Sequence, residues 1–231
     1  MSAQNSVPLV LIPALLCDEA MYRGVVDGLG SLVTAQTHVA VRPMMAESVE
    51  EILERAPARF VLGGSSYGGT VAIEVALAAP ERIAGLWLTG CDPGAPNRDA
   101  TLGLSAMLEN STDAAVAHLA GVVVRPQATV AAATFREMAG RIGGPAAAAQ
   151  ARALAGRDSA WERLGELSMP TLVLWGEEDA AIPVAVGRRM AAALPSARFH
   201  EIQECGHLPT LERADDVAVM VSEWMQQVIE T

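Results

Sequence analysis

The sequence predicts an α/β fold whose mostly parallel sheet is flanked by helices. Short runs rich in Val, Leu and Ile alternate along the chain with longer segments of helical periodicity, and this rhythm is typical of parallel strands covered on both faces. The first run, VPLVLI at 7–12, is apolar throughout, as expected of a strand buried on both sides. Residues 91–165 carry no strand signal and are rich in alanine, so a helical insertion is predicted there.

The predicted elements divide the chain into a core and an insertion. Strands are predicted at 7–12, 37–41, 59–63, 83–90, 170–176 and 197–202. Helices are predicted at 18–29, 48–56, 69–80, 184–194 and about 213–229. Asp18 is a good capping residue for the first helix, and Pro80 is a helix-ending residue for the third. Residues 1–90 and 166–231 are therefore the predicted α/β core, and residues 91–165 are a predicted helical cap.

The composition excludes several classes of function. With 16 basic and 27 acidic residues the chain has a net charge of −11, which disfavours nucleic acid and anionic membranes as partners. All 16 basic residues are arginine, so Schiff-base chemistry through a lysine is excluded. The sequence contains no C-x-x-C and no visible set of metal ligands, and neither a metal nor a cofactor is expected. The expected partner is a small-molecule substrate, and the oligomeric state stays open.

Cysteine usage and hydropathy favour a cytoplasmic protein. Three cysteines, Cys17, Cys91 and Cys205, are widely spaced and odd in number, which suggests a reducing compartment. The N-terminal segment has no basic residue before its apolar run, unlike a signal peptide. No uncharged apolar run reaches the length of a membrane span. A cytoplasmic location is therefore expected.

The stretch GGSSYGGT, residues 63–70, approaches two motifs at once. From Gly63 it resembles the phosphate-binding loop G-x-x-x-x-G-K-[ST], but Gly69 stands where that loop needs its lysine. From Gly64 it reads G-S-S-Y-G, the G-x-S-x-G turn that presents a nucleophilic serine. A predicted strand precedes it and a predicted helix follows, which is the setting that this turn requires. We therefore interpret Ser66 as a nucleophile.

A nucleophilic serine needs a general base, and His207 is the best placed histidine. It lies in ECGHLPTLE, directly after the last predicted strand. Catalytic side chains collect at the carboxyl ends of strands in open parallel sheets. His38 and His200 fall in predicted strands and His118 in the helical block, so these three are interpreted as structural.

The base needs a carboxylate that orients it, and Asp179 is the first candidate. It follows the strand PTLVLW in WGEEDAAIP, and the order Ser, acid, His is the one expected with a G-x-S-x-G turn. Glu177 and Glu178 are adjacent alternatives, and Asp92, after the strand at 83–90, is a further one.

The oxyanion of an acyl-transfer reaction needs two preorganised backbone amides. The residue after the nucleophile, Tyr67, supplies one. The second is expected from the loop after the first strand, IPALLCD, where Leu15 is the first candidate and Leu16 the next. Both leucines could instead be core residues.

Four segments together resemble the α/β-hydrolase superfamily. They are LIPALLCD, VLGGSSYGGTVAIEVALAAPERI, MPTLVLWGEEDAAIP and ECGHLPTLE, and the resemblance covers nearly the whole chain outside 91–165. It is closest to small single-domain hydrolases that include carboxylesterases, enol-lactonases and carbon–carbon bond hydrolases. The resemblance implies an α/β-hydrolase fold with Ser66 as nucleophile, Asp179 as acid and His207 as base.

The chain departs from this family in three places. Pro13 and Ala14 replace the usual His-Gly before the first oxyanion donor, which puts the shape of that loop in doubt. Few residues precede the first strand, so a sheet of six parallel strands is expected. The turn after the second strand reads VRPMMAES instead of carrying the usual Asp and Gly, and Met44 and Met45 are candidate pocket residues together with Leu16.

The expected function is a serine hydrolase that forms an acyl-enzyme. Its expected substrate is a small, largely apolar carboxylic ester, with a lactone next. Cleavage of a carbon–carbon bond in a β-diketone uses the same residues and stays open. A ligand-binding or signalling protein that keeps this fold without turnover is the alternative from another class.

Overall fold

One parallel sheet of six strands organises residues 7–229, the part of the chain that the computed structural model describes. Its strands are β1 (Val7–Ile12), β2 (Val33–Thr37), β3 (Phe60–Ser65), β4 (Ile83–Thr89), β5 (Thr171–Gly176) and β6 (Ala197–Ile202). Their order across the sheet is β2-β1-β3-β4-β5-β6, and each neighbouring pair is parallel. The carboxyl ends of all six strands therefore lie at one edge. The predicted α/β fold with six parallel strands is confirmed.

The second strand is the one that the sequence misplaced. It was expected at 37–41 and is found at Val33–Thr37. It pairs only with β1, from Val7↔Val33 to Leu11↔Thr37, so it is an edge strand. Only Val33 is fully buried within it. Its register is set by hydrogen bonds to β1, which the local sequence does not reveal.

Helices cover both faces of the sheet. They are α1 (Arg23–Leu29), α2 (Met45–Arg55), α3 (Tyr67–Ala78), α4 (Arg98–Asn110), α5 (Thr112–Val123), α6 (Thr129–Ile142), α7 (Gly144–Ala155), α8 (Val184–Ala193), α9 (Pro209–Glu212) and α10 (Ala214–Ile229). Short 3₁₀ helices are found at Glu19–Tyr22, Gly30–Leu32, Pro80–Arg82 and Trp161–Glu166. The predicted helix at 18–29 is thus a 3₁₀ turn followed by α1, and Asp18 caps it by accepting a hydrogen bond from the Ala20 amide at 3.0 Å.

Two apolar cores lie on opposite faces of the sheet, because alternate side chains of each strand point to opposite sides. On one face, Leu9, Leu11 and Trp87 pack with residues of α1 and α10. On the other face, Val10 and Leu88 pack with residues of α2, α3 and α8. Burial on both sides explains why the central strands are mostly apolar.

The segment between β4 and β5 is helical within the described residues. Helices α4 and α7 pack against each other, and the Ser105 hydroxyl donates to the Ala148 carbonyl at 3.0 Å. Helix α6 reaches the loop after β1, where Arg141 Nε lies 2.6 Å from Asp18 Oδ2. The interpretation of 91–165 as a cap over the site stays a prediction. No helix in residues 7–229 is long and apolar enough to cross a membrane.

Candidate active site

Ser66 lies at the tip of a sharp turn between β3 and α3. Its backbone angles are φ 53° and ψ −119°, a region that residues with a side chain rarely adopt and that persists only where the surroundings enforce it. The Ser66 amide donates to the Thr89 carbonyl at 2.8 Å, and the Ser66 carbonyl accepts from the Thr70 amide at 3.0 Å. Ser66 is partly exposed whereas Ser65 is fully buried. The turn therefore presents the hydroxyl of Ser66 and hides that of Ser65.

The two glycines of the G-x-S-x-G turn are required by close contacts. A Cβ atom on Gly64 would lie 2.3 Å from the carbonyl oxygen of Gly68 at the start of α3. A Cβ atom on Gly68 would lie 2.0 Å from the carbonyl oxygen of Ile12 and 2.5 Å from that of Pro13. All three contacts are with backbone atoms, which cannot rotate away. The same contacts bring the loop after β1 beside the start of α3.

The structure brings Asp179 and His207 together. Asp179 Oδ2 lies 2.8 Å from His207 Nδ1, and both side chains are almost fully buried. Asp179 Oδ1 accepts from the amides of Ala181 at 2.9 Å and Ile182 at 2.8 Å. These two amides fix the carboxylate, so that its second oxygen is directed at the imidazole. An imidazole held through Nδ1 presents Nε2 as the nitrogen available for proton transfer.

Ser66 and His207 both lie against the end of β4. Ser66 is bonded to Thr89, as described above, and the next residue, Gly90, faces the imidazole. A Cβ atom on Gly90 would lie 3.1 Å from His207 Cε1, and Gly90 has a φ of 54°. Glycine is thus favoured at Gly90 both by its backbone conformation and by its closeness to the ring. Sequence reasoning missed this residue, because a glycine at a strand end carries no distinctive signal.

The amides of Tyr67 and Leu15, the first candidates for oxyanion donors, differ in their hydrogen bonding from the amide of Leu16. Tyr67 is the first residue of α3, so its amide has no partner within the helix. The Leu15 amide donates no hydrogen bond to any of residues 7–229. The Leu16 amide, in contrast, donates to the side chain of Gln150 at 3.2 Å. Of the two leucines considered from the sequence, Leu15 is therefore the one whose amide is available.

A cluster of charges flanks the loops that carry the acid and the base. Arg125, between α5 and α6, lies 2.7 Å from Glu178 Oε1 and 3.4 Å from Glu212 Oε2. Glu212 in turn accepts from the Gly206 amide at 3.2 Å. Burial raises the pKa of Glu212 even though Arg125 opposes the shift. Arg125, Glu178 and Glu212 come from distant segments, so no local motif could have predicted that they cluster.

The two methionines proposed for a pocket lie in a different place. Met45 is the first residue of α2, and Met44 precedes it with 55% of its side chain exposed. Both line a surface groove of about 1140 Å³ between α2, α3 and residues 156–163. None of the three candidate catalytic residues lines this groove. Leu16 is fully buried in the core. The role of Met44, Met45 and Leu16 in a substrate pocket stays a prediction.

The alternative acid Asp92 and the three other histidines have different surroundings from Asp179 and His207. Asp92 Oδ1 accepts from the Gly94 amide at 2.7 Å and so closes its own turn. His118 and His200 are exposed on α5 and β6. His38 follows β2, and burial lowers the pKa of its imidazole. Within the described residues none of these four groups contacts Ser66 or His207 through a hydrogen bond.

Sequence comparison finds relatives among hydrolases. Two proteins named 2-hydroxy-6-oxononadienedioate/2-hydroxy-6-oxononatrienedioate hydrolase, from Cupriavidus pinatubonensis and Paraburkholderia xenovorans, are each 29% identical over 174 residues. The match covers 70% of this chain and 60% of each relative. The chain thus spans less than two thirds of the length of these relatives.

Solved structures show the same fold at low sequence identity. An esterase from Thermogutta terrifontis superposes with a TM-score of 0.87 at 22% identity, over 96% of this chain and 90% of the other. The enol-lactonase from Burkholderia xenovorans LB400 gives a TM-score of 0.87 at 20% identity, over 98% and 94% of the two chains. A profile described as "Alpha/beta hydrolase family" matches residues 13–219. The chain belongs to the alpha/beta hydrolase family.

Proposed function

We propose that this protein is a serine hydrolase in which Ser66 is the nucleophile, His207 the general base and Asp179 the residue that orients the base. The observation that carries the proposal is the Asp179–His207 pair at 2.8 Å beside the turn that holds Ser66 in a strained conformation. A strained backbone at a presented serine is typical of nucleophile turns.

In the proposed mechanism His207 Nε2 takes the proton of the Ser66 hydroxyl as its oxygen attacks a carbonyl carbon. The buried Asp179 carboxylate stabilises the imidazolium that results. Collapse of the tetrahedral intermediate expels the leaving group, which His207 protonates, and an acyl-enzyme remains. Water activated by His207 then releases the acid.

The oxyanion of each tetrahedral intermediate is proposed to accept from the amides of Tyr67 and Leu15. Tyr67 begins a 12-residue helix, and helix N-termini favour negative charge. The Leu15 amide donates to no acceptor within residues 7–229. The close approach of Gly68 to Ile12 and Pro13 brings the loop that carries Leu15 beside the start of α3, where the Tyr67 amide lies. Two such donors account for a large part of the rate enhancement in acyl transfer.

The charges near the candidate site favour a neutral substrate. Arg125, the cation beside the loop of His207, is already engaged by Glu178 and Glu212, and the chain as a whole has a charge of −11. An anionic substrate would meet a repulsive field. We therefore propose a small apolar ester first and a lactone second, with the helical segment 91–165 acting as a cap that limits substrate size.

Carbon–carbon bond hydrolysis is the second candidate function. It is favoured by the names of the relatives that match 70% of this chain. Their named substrates are dicarboxylates, and the described residues show no unpaired arginine beside His207 that would suit a carboxylate. This charge balance is the reason for ranking the ester and the lactone above the diketone.

The deciding experiment is steady-state hydrolysis of p-nitrophenyl esters, from acetate to octanoate, by wild type and Ser66→Ala. We expect turnover by wild type that disappears in the variant. The preferred acyl length indicates the size of the acyl pocket. A Ser65→Ala variant is the matched control, since Ser65 is buried, and it should retain activity. Equal activity of wild type and Ser66→Ala would contradict the nucleophile assignment.

Absence of ester turnover in wild type would direct the test to other substrates. A γ- or δ-lactone and the dienedioate named for the relatives would then be assayed with the same two proteins. Binding of a substrate analogue without multiple turnover on any of these would favour a ligand-binding member of the fold.

A further inference from the structure

The loop that carries Leu15 is a tight turn in an unfavourable conformation. The Cys17 amide donates to the Ala14 carbonyl at 3.0 Å, which closes a β-turn with Leu15 and Leu16 at its centre. Leu16 has a φ of 66°, and a β-turn with positive φ at its third residue normally has glycine or asparagine there. A leucine at this position needs support from outside the turn.

That support comes from Gln150 on α7. Its Oε1 accepts from the Leu16 amide at 3.2 Å, and its Nε2 donates to the Ala40 carbonyl at 3.0 Å. The Gln150 side chain is buried, with 1% of it exposed. It therefore joins the loop after β1 to the loop after β2 from a helix more than a hundred residues away.

The orientation of the Gln150 amide is determined by its partners. The Leu16 N–H can only donate and the Ala40 carbonyl can only accept, so the side chain must present oxygen to the first and nitrogen to the second. A flipped amide would place two donors together and two acceptors together. The hydrogen bond to Ala40 therefore fixes the amide orientation that the hydrogen bond from Leu16 requires, and the reverse also holds.

We propose that Gln150 is a positioning residue for the oxyanion turn, holding the Leu16 amide away from the site so that the preceding amide, that of Leu15, faces it. This inference rests on the proposed serine hydrolase function. Without Gln150 the Leu16 amide loses its acceptor, and the turn from Ala14 to Cys17 can relax to relieve the strain at Leu16. The Ala14–Leu15 peptide, which carries the Leu15 N–H, belongs to the same turn, so its orientation would no longer be fixed, and stabilisation of the transition state would fall more than substrate binding.

The test is Gln150→Met, which keeps the length of the side chain and removes both hydrogen bonds. We expect kcat for the preferred ester to fall about ten- to a hundredfold, with little change in KM, since removal of a whole oxyanion donor costs about a hundred- to a thousandfold. Ser105→Ala is the matched control, because it removes another buried hydrogen bond to α7, at Ala148. It should lower the melting temperature without lowering kcat.

Gln150→Glu adds a second measurement, the pH dependence of kcat, which a purely structural role of Gln150 would not change. A protonated carboxyl offers one donor and one acceptor and can replace both bonds, whereas an ionised carboxylate has no donor for Ala40. Burial raises the pKa of a carboxyl, so the kcat of this variant relative to wild type should rise as the pH is lowered from about 8 to about 6. The pH dependence of kcat in Gln150→Glu also tests the positioning role if Gln150→Met fails to fold.

Different outcomes separate this inference from the function on which it rests. Wild-type turnover that depends on Ser66, together with an unchanged kcat in Gln150→Met, would overturn the positioning role alone. An equal loss of kcat in Ser105→Ala would overturn it as well, by showing that α7 acts only through stability. Absence of any Ser66-dependent turnover in wild type would overturn the proposed function and this inference with it.

Discussion

One carboxylate oxygen of Asp179 contacts His207 Nδ1 at 2.8 Å, while the other accepts from two backbone amides. The two oxygens therefore have separate tasks: one holds the carboxylate in place and the other holds the imidazole. Asp92, the alternative acid, uses its Oδ1 to accept from Gly94 in its own turn. The arrangement favours Asp179 over Asp92 as the partner of the proposed base.

Replacement of Asp179 by asparagine should preserve the shape of this pair and reverse its polarity. The amide keeps one oxygen for the backbone donors at Ala181 and Ile182 and presents its NH₂ group to Nδ1, which selects the wrong tautomer of His207. We expect kcat to fall by about 10⁴, as for the same change in a serine protease triad. Steady-state ester hydrolysis measures the loss, and Asp92→Asn is the matched control that should stay close to wild type. A similar loss in both variants would contradict the assignment.

The second prediction concerns Gly68 in the turn after Ser66. Its substitution by alanine would drive a Cβ atom into the carbonyl oxygen of Ile12, and we expect a loss of about 1–3 kcal/mol in the free energy of unfolding together with a loss of kcat. Gly121→Ala is the control: Gly121 lies in α5, and a Cβ atom there has nothing within 4 Å. It should stabilise the protein by about 0.5–1 kcal/mol. Urea unfolding of both variants makes the comparison, and a stable, active Gly68→Ala protein would refute the contact.

The fold could be predicted from the sequence wherever a strand is buried on both faces. The central strands β1, β3, β4 and β5 are mostly apolar, and each was expected within two residues of its observed position. Of the two edge strands, each with one fully buried residue, β6 was expected at its observed position and β2 was misplaced. The position of β2 depends on pairing with β1, which is a non-local property.

The candidate site was predictable only where chemistry imposes a local motif. Ser66 and the glycines around it follow from the backbone demands of one turn, and His207 and Asp179 follow from strand ends at one edge of a parallel sheet. Gln150 is different. It contacts Leu16 and Ala40 across more than a hundred residues, and in the sequence it is one polar residue in an alanine-rich helix. Such tertiary contacts leave no periodicity or spacing to detect.

The third prediction concerns the thiols. Cys17, Cys91 and Cys205 are all fully buried, and burial raises the pKa of each thiol, that of Cys91 to about 12. The reactive thiolate form is therefore suppressed. We expect no thiol of the native protein to react with a disulfide reagent within minutes, and all three to react after unfolding in guanidinium. Rapid inactivation of wild type, abolished by Cys205→Ala, would instead establish an oxidation-sensitive cysteine beside His207.

The last prediction is a pH dependence that originates at Glu74 on α3. Burial raises the pKa of its carboxyl above the ordinary value, and Arg157 and Arg163 only partly oppose this shift. In the window between the unfolded and the folded pKa, the unfolded state has already lost the proton that the folded state retains. The favourable contribution of this group is present below the unfolded pKa and is lost as the pH rises through the folded pKa.

Glu74→Gln removes this titration. Its stability relative to wild type should therefore increase between about pH 4 and about pH 7, because only wild type has to keep a partly buried carboxylate charged. Urea unfolding at both pH values measures the difference, and Glu81→Gln, at an exposed position after α3, controls for the loss of one negative charge. An equal pH dependence of Glu74→Gln and wild type would contradict the raised pKa, by showing that Arg157 and Arg163 fully offset the effect of burial on the Glu74 carboxyl.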